Sequence, residues 1–508
     1  MASVESWILA VAVLVILLIY GTSTFGFFKK LNIPGPRPLP FIGTFHHNRK
    51  GFFNFDLECM QKYGKVWGIF DGRTPVLVTV DTAMLKTILV KECFTIFTNR
   101  RNFGLNGKLD VSLTVVEDDH WKRIRSVLSP TFTSGRLKEM FPIIKRYRDN
   151  LIKNLQKKAD AKEPVMMKEI FGAYSMDAIA STSFSVDLDS LNNPNDPFVI
   201  NIKKALKFTI FNPLFLIAVM CRWLVPLLEK FEFSMFPSDV TEFFSQVVQQ
   251  IKSKRNKGDR QDRVDFLQLM IDTQTSMQSS ELSGLDYSKK GEGTQGLTDR
   301  EILAQSILFI FAGYETTSSA LSFLSYILAI HPDIQTKLQQ EIDEQFPDKG
   351  QLTYDGLMQM EYLDMVINES LRIYPNGGRL ERVCKKTVDV NGVTIPKGTV
   401  VMIPLYALHR DPQHWPEPEE FRPERFTKEN KETRDQYAHL PFGTGPRNCI
   451  GMRFALLNVK LAITSILQNF TFVPCKETPI PLELDPKGFM TPKKPIVLSI
   501  IPRKSTEE

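Results

Sequence analysis

The chain has 508 residues, 43% of them hydrophobic and 24% charged, with a formal net charge of +6. That charge is small for the length, and no nucleic-acid motif or long basic tract accompanies it, which argues against a nucleic-acid partner while leaving room for an acidic protein or an anionic membrane surface. The six cysteines include no C-x-x-C pair and the seven histidines no H-x-x-x-H pair, which argues against a disulfide framework and a zinc ribbon and suits a reducing compartment.

Trp7 to Tyr20 is almost purely aliphatic, and no charge occurs from Ser6 to Phe28, a span of 23 residues. A bilayer needs about 20. A secretory signal is the alternative, because the small residues Gly21, Thr22 and Ser23 follow the densest apolar part. Glu5 precedes the run, however, and Lys29 and Lys30 follow it. The positive-inside rule then puts the N-terminus in the lumen and the rest in the cytosol, behind an uncleaved anchor over 6–28. Residues 29–40 form a basic, proline-rich linker, and the four prolines between Pro34 and Pro40 predict a stiff, extended spacer. One catalytic domain is expected over 41–504.

Phe41 to Val80 reads as short strands and turns, and the sequence beyond is mainly helical in pattern. In Trp121-Lys122-Arg123-Ile124-Arg125, helical spacing sets Trp121 and Arg125 on one face. A second apolar region, Phe208 to Leu228, is interrupted by Pro213, Arg222 and Pro226, so it predicts core packing or a lip dipping into a membrane rather than a span. Thr273 to Gly296, rich in Ser, Gln and Gly, predicts a mobile surface loop. Thr298-Asp299-Arg300-Glu301 has the form of a capping box, and no strong breaker follows before His331-Pro332. The result is a predicted core helix of roughly 32 residues, about 48 Å long.

Midway along it, Ala312-Gly313-Tyr314-Glu315-Thr316-Thr317 sets small residues beside a hydroxyl and a carboxylate. Ala312 and Gly313 leave room for a ligand, and the threonine hydroxyl can bond back to a carbonyl or turn toward that room. Glu369-Ser370-Leu371-Arg372 places a carboxylate and a guanidinium three apart, a weak signal alone, and Pro423-Glu424-Arg425-Phe426 adds another arginine. His409 and His414 lie in a Pro- and Trp-containing segment that reads as structural. Pro441-Phe442-Gly443-Thr444-Gly445-Pro446-Arg447-Asn448-Cys449-Ile450-Gly451 then precedes a helix-like run, Met452 to Leu467. Gly445 and Gly451 can take backbone geometries closed to other residues and let a large planar group approach. Free amides and the helix dipole favour negative sulfur at Cys449, and Arg447 offers a fixed charge suited to a carboxylate. Cys449 is therefore the best candidate metal ligand; a lone cysteine elsewhere would read as buried and structural.

The spacing Phe-x-x-Gly-x-Arg-x-Cys-x-Gly from Phe442 to Gly451 resembles the haem-binding signature of the cytochrome P450 family, and Ala312 to Thr316 resembles its oxygen-activation motif. Phe311 to Ser319, Arg379 to Lys386 and the cysteine loop are similar to vertebrate family 3, the drug- and steroid-oxidising microsomal group. The likeness runs from about Pro34 to Pro502. It implies a mainly α fold, a helical prism with a small β-rich lobe behind an N-terminal transmembrane helix, and makes the proline segment a hinge. It implies haem b with Cys449 as axial thiolate, framed by Phe442, Gly445 and Gly451. Trp121, Arg125, Arg447, Arg100 and Arg382 become propionate-side residues. Thr316 becomes the oxygen-side alcohol and Glu315 its acid partner, supplying the protons that O–O cleavage needs. Glu369, Arg372 and Arg425 become a buried scaffold cluster.

The activity so implied is a membrane-bound monooxygenase of the endoplasmic reticulum, its catalytic domain cytosolic, acting on steroids, xenobiotics or fatty-acid-like compounds. Phe103, Thr114, Phe208, Phe211, Ile310, Ala312, Gly377 and Gly378 are its candidate pocket lining, taking apolar substrates by burial. Electrons would come through NADPH–cytochrome P450 reductase, with cytochrome b5 as auxiliary donor, and Lys122, Arg123 and Arg453 are candidates for the docking face. Two alternatives stand beside this reading. A haem-thiolate isomerase or dehydratase acting on peroxides would not need the Glu315–Thr316 pair, and a haem-binding carrier or sensor would need no reductase surface. Asn376-Gly377-Gly378 departs from the drug-oxidising subfamily, which usually sets apolar side chains over the haem there, and predicts a larger or differently shaped pocket near the iron.

Overall fold

Thr298 opens the helix around which the rest is packed. Its hydroxyl accepts from the Glu301 amide and the Glu301 carboxylate accepts from the Thr298 amide, so the expected capping box is complete. The core helix Asp299–Ile330 then runs for 32 residues to His331-Pro332. From Leu321 to Ala329 every residue is buried, as expected of a helix apolar on all sides. Helices Met167–Phe184 and Met452–Asn469 pack against it, and Ser134–Asp160 packs against those two, in the computed structural model, which describes residues 4–205, 211–256, 265–282, 296–486 and 490–503. The fold is mainly α, as expected.

The strands are β1 (Val66–Asp71), β2 (Thr74–Thr79), β3 (Val165–Met166), β4 (Arg379–Val383), β5 (Val388–Val390), β6 (Val393–Ile395), β7 (Val400–Pro404), β8 (Phe470–Pro474) and β9 (Val497–Pro502). They form a four-stranded sheet in the order β1-β2-β7-β4, a three-stranded sheet β3-β9-β8 and the hairpin β5-β6. In β4, paired antiparallel to β7, strand alternation turns Leu380 and Arg382 to the cavity described below and sends Glu381 to Arg101 on the other face.

Three local expectations change. Phe41 to Val80 holds the helix Phe52–Tyr63 as well as β1 and β2; its phenylalanine-rich start reads as strand, but the buried set Phe52, Phe55, Cys59 and Met60 has helical spacing. The loop expected over Thr273 to Gly296 does not start at Thr273, because the helix Phe266–Leu282 runs through that position, and residues 283–295 lie outside those described. The proline segment is extended but lies against the domain. Phe28 sits over Gly68, and the Pro34 carbonyl accepts from the Gly68 amide at 2.8 Å.

Val4–Thr22 is one helix of mean hydropathy 2.3, long and apolar enough to cross a membrane. Its end is held by Arg73, which stacks on the Tyr20 ring at 3.6 Å and donates to Ser23 Oγ at 2.9 Å. Beyond residue 210, the second apolar region forms the short helices Pro213–Met220 and Val225–Lys230, too short to span, with Trp223 and Leu227 exposed between and along them.

Candidate active site

The core helix, the cysteine loop, the helix Asp118–Leu128 and β4 enclose a cavity of about 410 Å³. Ala312 and Gly313 open the helix toward it. A Cβ on Gly313 would lie 2.8 Å from Ile179, so the helices could not pack as they do around a larger residue. Thr316, one turn on, donates its hydroxyl to the Ala312 carbonyl at 2.7 Å, the back-bonded alternative foreseen for it.

The cysteine loop closes through the Cys449 amide, which donates to the Phe442 carbonyl at 2.9 Å. Gly445 has φ +72°, and a Cβ there would stand 2.0 Å from the Leu89 carbonyl oxygen, so only glycine fits. Gly451 does not use that freedom. Its φ is −87° and the nearest atom to an added Cβ is 3.9 Å away on Phe132. Gly443, at φ +68°, is the second left-handed glycine instead. Among the six cysteines, Cys449 alone lines the cavity, beside Phe442 and Gly451. Burial pushes its thiol up, while the Gly451 amide and the Arg125 and Arg100 cations draw it down.

Trp121, Arg100, Arg125, Arg382 and Arg447 line the same cavity, and among the described lining residues there is no Asp or Glu. Arg125 donates to the Asn448 carbonyl at 3.1 Å and its Oδ1 at 2.7 Å. Arg447 stacks on Trp121 at 4.3 Å, but its Nε and Nη1, like Arg382 Nε, are buried without an acceptor among the described residues. Burial and the neighbouring arginines pull Arg447 down to about 9, and burial and Arg100 pull Arg382 down to about 10. Crowded buried cations with spare donors are costly until anions join them, so the site fits a group carrying two carboxylates.

Glu315 stands outside this wall. Its carboxylate meets Lys168 Nζ at 2.8 Å, and Lys168 also donates to the Ser318 and Ser319 hydroxyls at 2.8 and 2.7 Å. Nothing in the sequence pointed to Lys168, which lies 147 positions from Glu315. Of the expected lining residues, Thr114, Ala312 and Gly377 reach the cavity. Phe103 packs on Phe215, Phe211 on Phe45, and Ile310 is buried on the far side of the core helix from Ala312. Gly378 faces Phe52, whose ring would be 2.4 Å from a Cβ, so the space that Gly378 leaves is filled rather than added to the pocket. Phe208 lies outside the described residues. Asn376 joins the lining instead.

Below the loop, Glu369 accepts from Arg372 at 2.7 and 2.8 Å and from Arg425 at 3.2 Å, with Glu369 and Arg372 fully buried. Arg372 also donates to the carbonyls of His409, Pro418 and Glu420, and His409 Nε2 accepts from the Leu440 amide at 2.9 Å. Buried cation and backbone are thus tied directly to the strand of chain entering the cysteine loop. Arg123 is bound to Glu301 and to the Gly296 carbonyl, which removes it from any exposed docking face; Lys122 and Arg453 lie at the surface.

The model of the cytochrome P450 family matches residues 33–500, and the chain belongs to that family of haem-thiolate monooxygenases, a class of oxidoreductases. Within it, the chain is 58% identical to Cytochrome P450 3A9 of Rattus norvegicus over 504 residues, covering 99% of this chain and 98% of that one. It is likewise 58% identical to Cytochrome P450 3A40 of Oryzias latipes over 504 residues and 57% identical to Cytochrome P450 3A6 of Oryctolagus cuniculus over 501, each match covering 99% of this chain and 98% of the relative.

Proposed function

We propose that the chain is a membrane-anchored monooxygenase that inserts one atom of O2 into lipophilic substrates such as steroids, xenobiotics or fatty-acid-like compounds, with electrons from NADPH–cytochrome P450 reductase. The change is RH + O2 + NADPH + H+ → ROH + H2O + NADP+. The observation that carries the reading is the meeting, around one largely apolar cavity, of the Cys449 thiol, four arginines and the Thr316 hydroxyl. Bound haem supplies the redox-active iron, made more electron-rich by its thiolate. Cys449 would be that thiolate. The spare N–H groups of Arg382 and Arg447, with Arg100, Arg125 and the Trp121 indole, would hold the propionates.

Thr316 would be the oxygen-side alcohol, donating a proton after turning its hydroxyl from the Ala312 carbonyl. Glu315 is next to Thr316 in sequence and is paired with Lys168, their side chains 28% and 35% exposed, and the carboxylate has to leave Lys168 to serve as acid partner. Leu113, Leu308, Leu371 and Leu405 would bind substrate by removing its apolar surface from water. Of the expected anchor 6–28, the helical part up to Thr22 would hold the chain in the endoplasmic reticulum membrane, while Phe28 packs on the domain, leaving the catalytic domain 41–504 cytosolic behind the linker 29–40. Lys122 and Arg453 would face the reductase or cytochrome b5.

The test is the carbon monoxide difference spectrum of the reduced wild type and of Cys449→Ala. A strongly red-shifted Soret band, lost in the variant, supports the assignment; a band typical of imidazole-ligated haem in folded protein overturns it. NADPH consumption matched to oxidised product with purified reductase separates a monooxygenase from an isomerase or a carrier.

A further inference from the structure

Asn376 sits in the loop between the helix Glu361–Ile373 and β4, and that loop is held at both ends. Arg372 is locked on Glu369, Arg379 pairs with Asp56 at 2.7 Å, and the Leu405 amide donates to the Gly378 carbonyl at 3.0 Å. From this rigid mount the Asn376 side chain enters the cavity wall, and its Nδ2 donates to the backbone carbonyl of Thr316 at 3.0 Å. A helix carbonyl ordinarily serves the amide four residues on, here that of Ala320, and it has a second lone pair to offer. Ala320, also on the wall, is small enough to leave that carbonyl within reach of a side chain from the loop.

The other end of the amide, Oδ1, is buried without a donor among the described residues. A buried acceptor without a partner carries a desolvation cost that an apolar side chain of the same size would avoid. Packing alone therefore does not account for asparagine at this position. Among the described residues its side-chain hydrogen bond goes to the peptide of Thr316.

We propose that Asn376 is a positioning residue for Thr316: it clamps the Thr316 peptide between loop and core helix, so that the hydroxyl keeps its place at the oxygen side of the cavity. The proposal rests on the reading of Thr316 as the oxygen-side alcohol. The clamp governs where electrons end. With the hydroxyl in place, two electrons and O2 yield hydroxylated product and water. With it displaced, the same electrons leave as peroxide, O2 + NADPH + H+ → H2O2 + NADP+.

Asn376→Leu removes the amide at similar volume, and Asn376→Ala removes it without adding bulk. Asn376→Gln keeps the donor on a longer stem beside Gly377, where an added Cβ would find its nearest atom, on Leu405, at 3.8 Å. Each is assayed as holoenzyme with reductase, testosterone serving as probe unless another member of a steroid panel is oxidised faster by the wild type. Haem incorporation is verified by the carbon monoxide spectrum. Losing one such hydrogen bond should lower product per NADPH about fivefold in the Leu and Ala variants, with a matching rise in peroxide. The Gln variant should recover most of the coupling. Thr316→Ala is measured alongside, and in that background Asn376→Leu should add nothing. If Thr316→Ala stays fully coupled, the reading of Thr316 fails and the clamp with it. If Thr316→Ala uncouples while the Leu and Ala variants do not, only the clamp fails. An additive loss in the double variant would place the action of Asn376 elsewhere and overturn it too.

Discussion

Lys168 and Glu315 form an ion pair of 2.8 Å between the helix Met167–Phe184 and the core helix, and the ammonium also donates to Ser318, Ser319 and the Glu315 carbonyl. Burial lowers the Lys168 pKa and the carboxylate opposes that shift. The acid next in sequence to Thr316 is thus held away from the cavity that Thr316 lines.

If Glu315 supplies protons, Glu315→Gln should slow product formation about a hundredfold and enlarge the solvent isotope effect. Lys168→Met should alter the same isotope effect, yet add nothing to Glu315→Gln, because both act through one carboxylate. Turnover in H2O and D2O measures both. Wild-type rates in Glu315→Gln would leave the pair a structural one.

Gly445→Ala and Gly451→Ala should part company. The first sets a Cβ 2.0 Å from the Leu89 carbonyl at φ +72°, and is expected to cost several kcal/mol and abolish haem uptake. The second meets only Phe132 at 3.9 Å and should stay within about 1 kcal/mol of wild type. Haem content and thermal midpoint, read together, decide it.

At the adjacent pair, Gly377→Ala adds a methyl group with its nearest neighbour, Leu405, at 3.8 Å, so it should narrow the cavity and shift the product pattern with little change in stability. Gly378→Ala drives a Cβ to 2.4 Å from the Phe52 ring and should destabilise by about 1–3 kcal/mol through overpacking. Product analysis and thermal unfolding of both variants separate pocket shape from packing.

His409 sets an acid limit. Burial, with Arg372 and Arg410 nearby, holds its folded pKa at about 3, against an ordinary 6.5. Between those values the unfolded chain takes up a proton that the folded one refuses. The stabilisation is therefore whole above pH 6.5 and is lost as the pH falls toward 3, on the order of a few kcal/mol by pH 4. His439, also held well below its ordinary value by burial, adds in the same direction. The thermal midpoint should fall over this range, and the slope should flatten in His409→Gln. An identical slope in the variant would assign the acid loss to other groups.

The capping box at Thr298, the length of the core helix and the apolar run Trp7 to Tyr20 were all legible from sequence, because each depends on residues within a few turns of one another. The cysteine loop was legible for the same reason, apart from its second left-handed glycine: Gly443 and Gly451 are alike as letters and differ in the φ that the folded turn imposes. Phe52–Tyr63 was misread because clustered phenylalanines suit a strand as well as a buried helix face.

The chain alone determined the family motif, the cysteine available to a metal and the hydroxyl and carboxylate midway along the core helix, since local spacing carries each of them. Tertiary structure decided which way those groups face. Glu315 turns to Lys168 and away from the cavity, Phe103 and Phe211 pack outside it, and Asn376 reaches the Thr316 carbonyl across 60 positions of sequence. Side-chain direction is set by what packs against it, and those neighbours come from segments far apart in the chain.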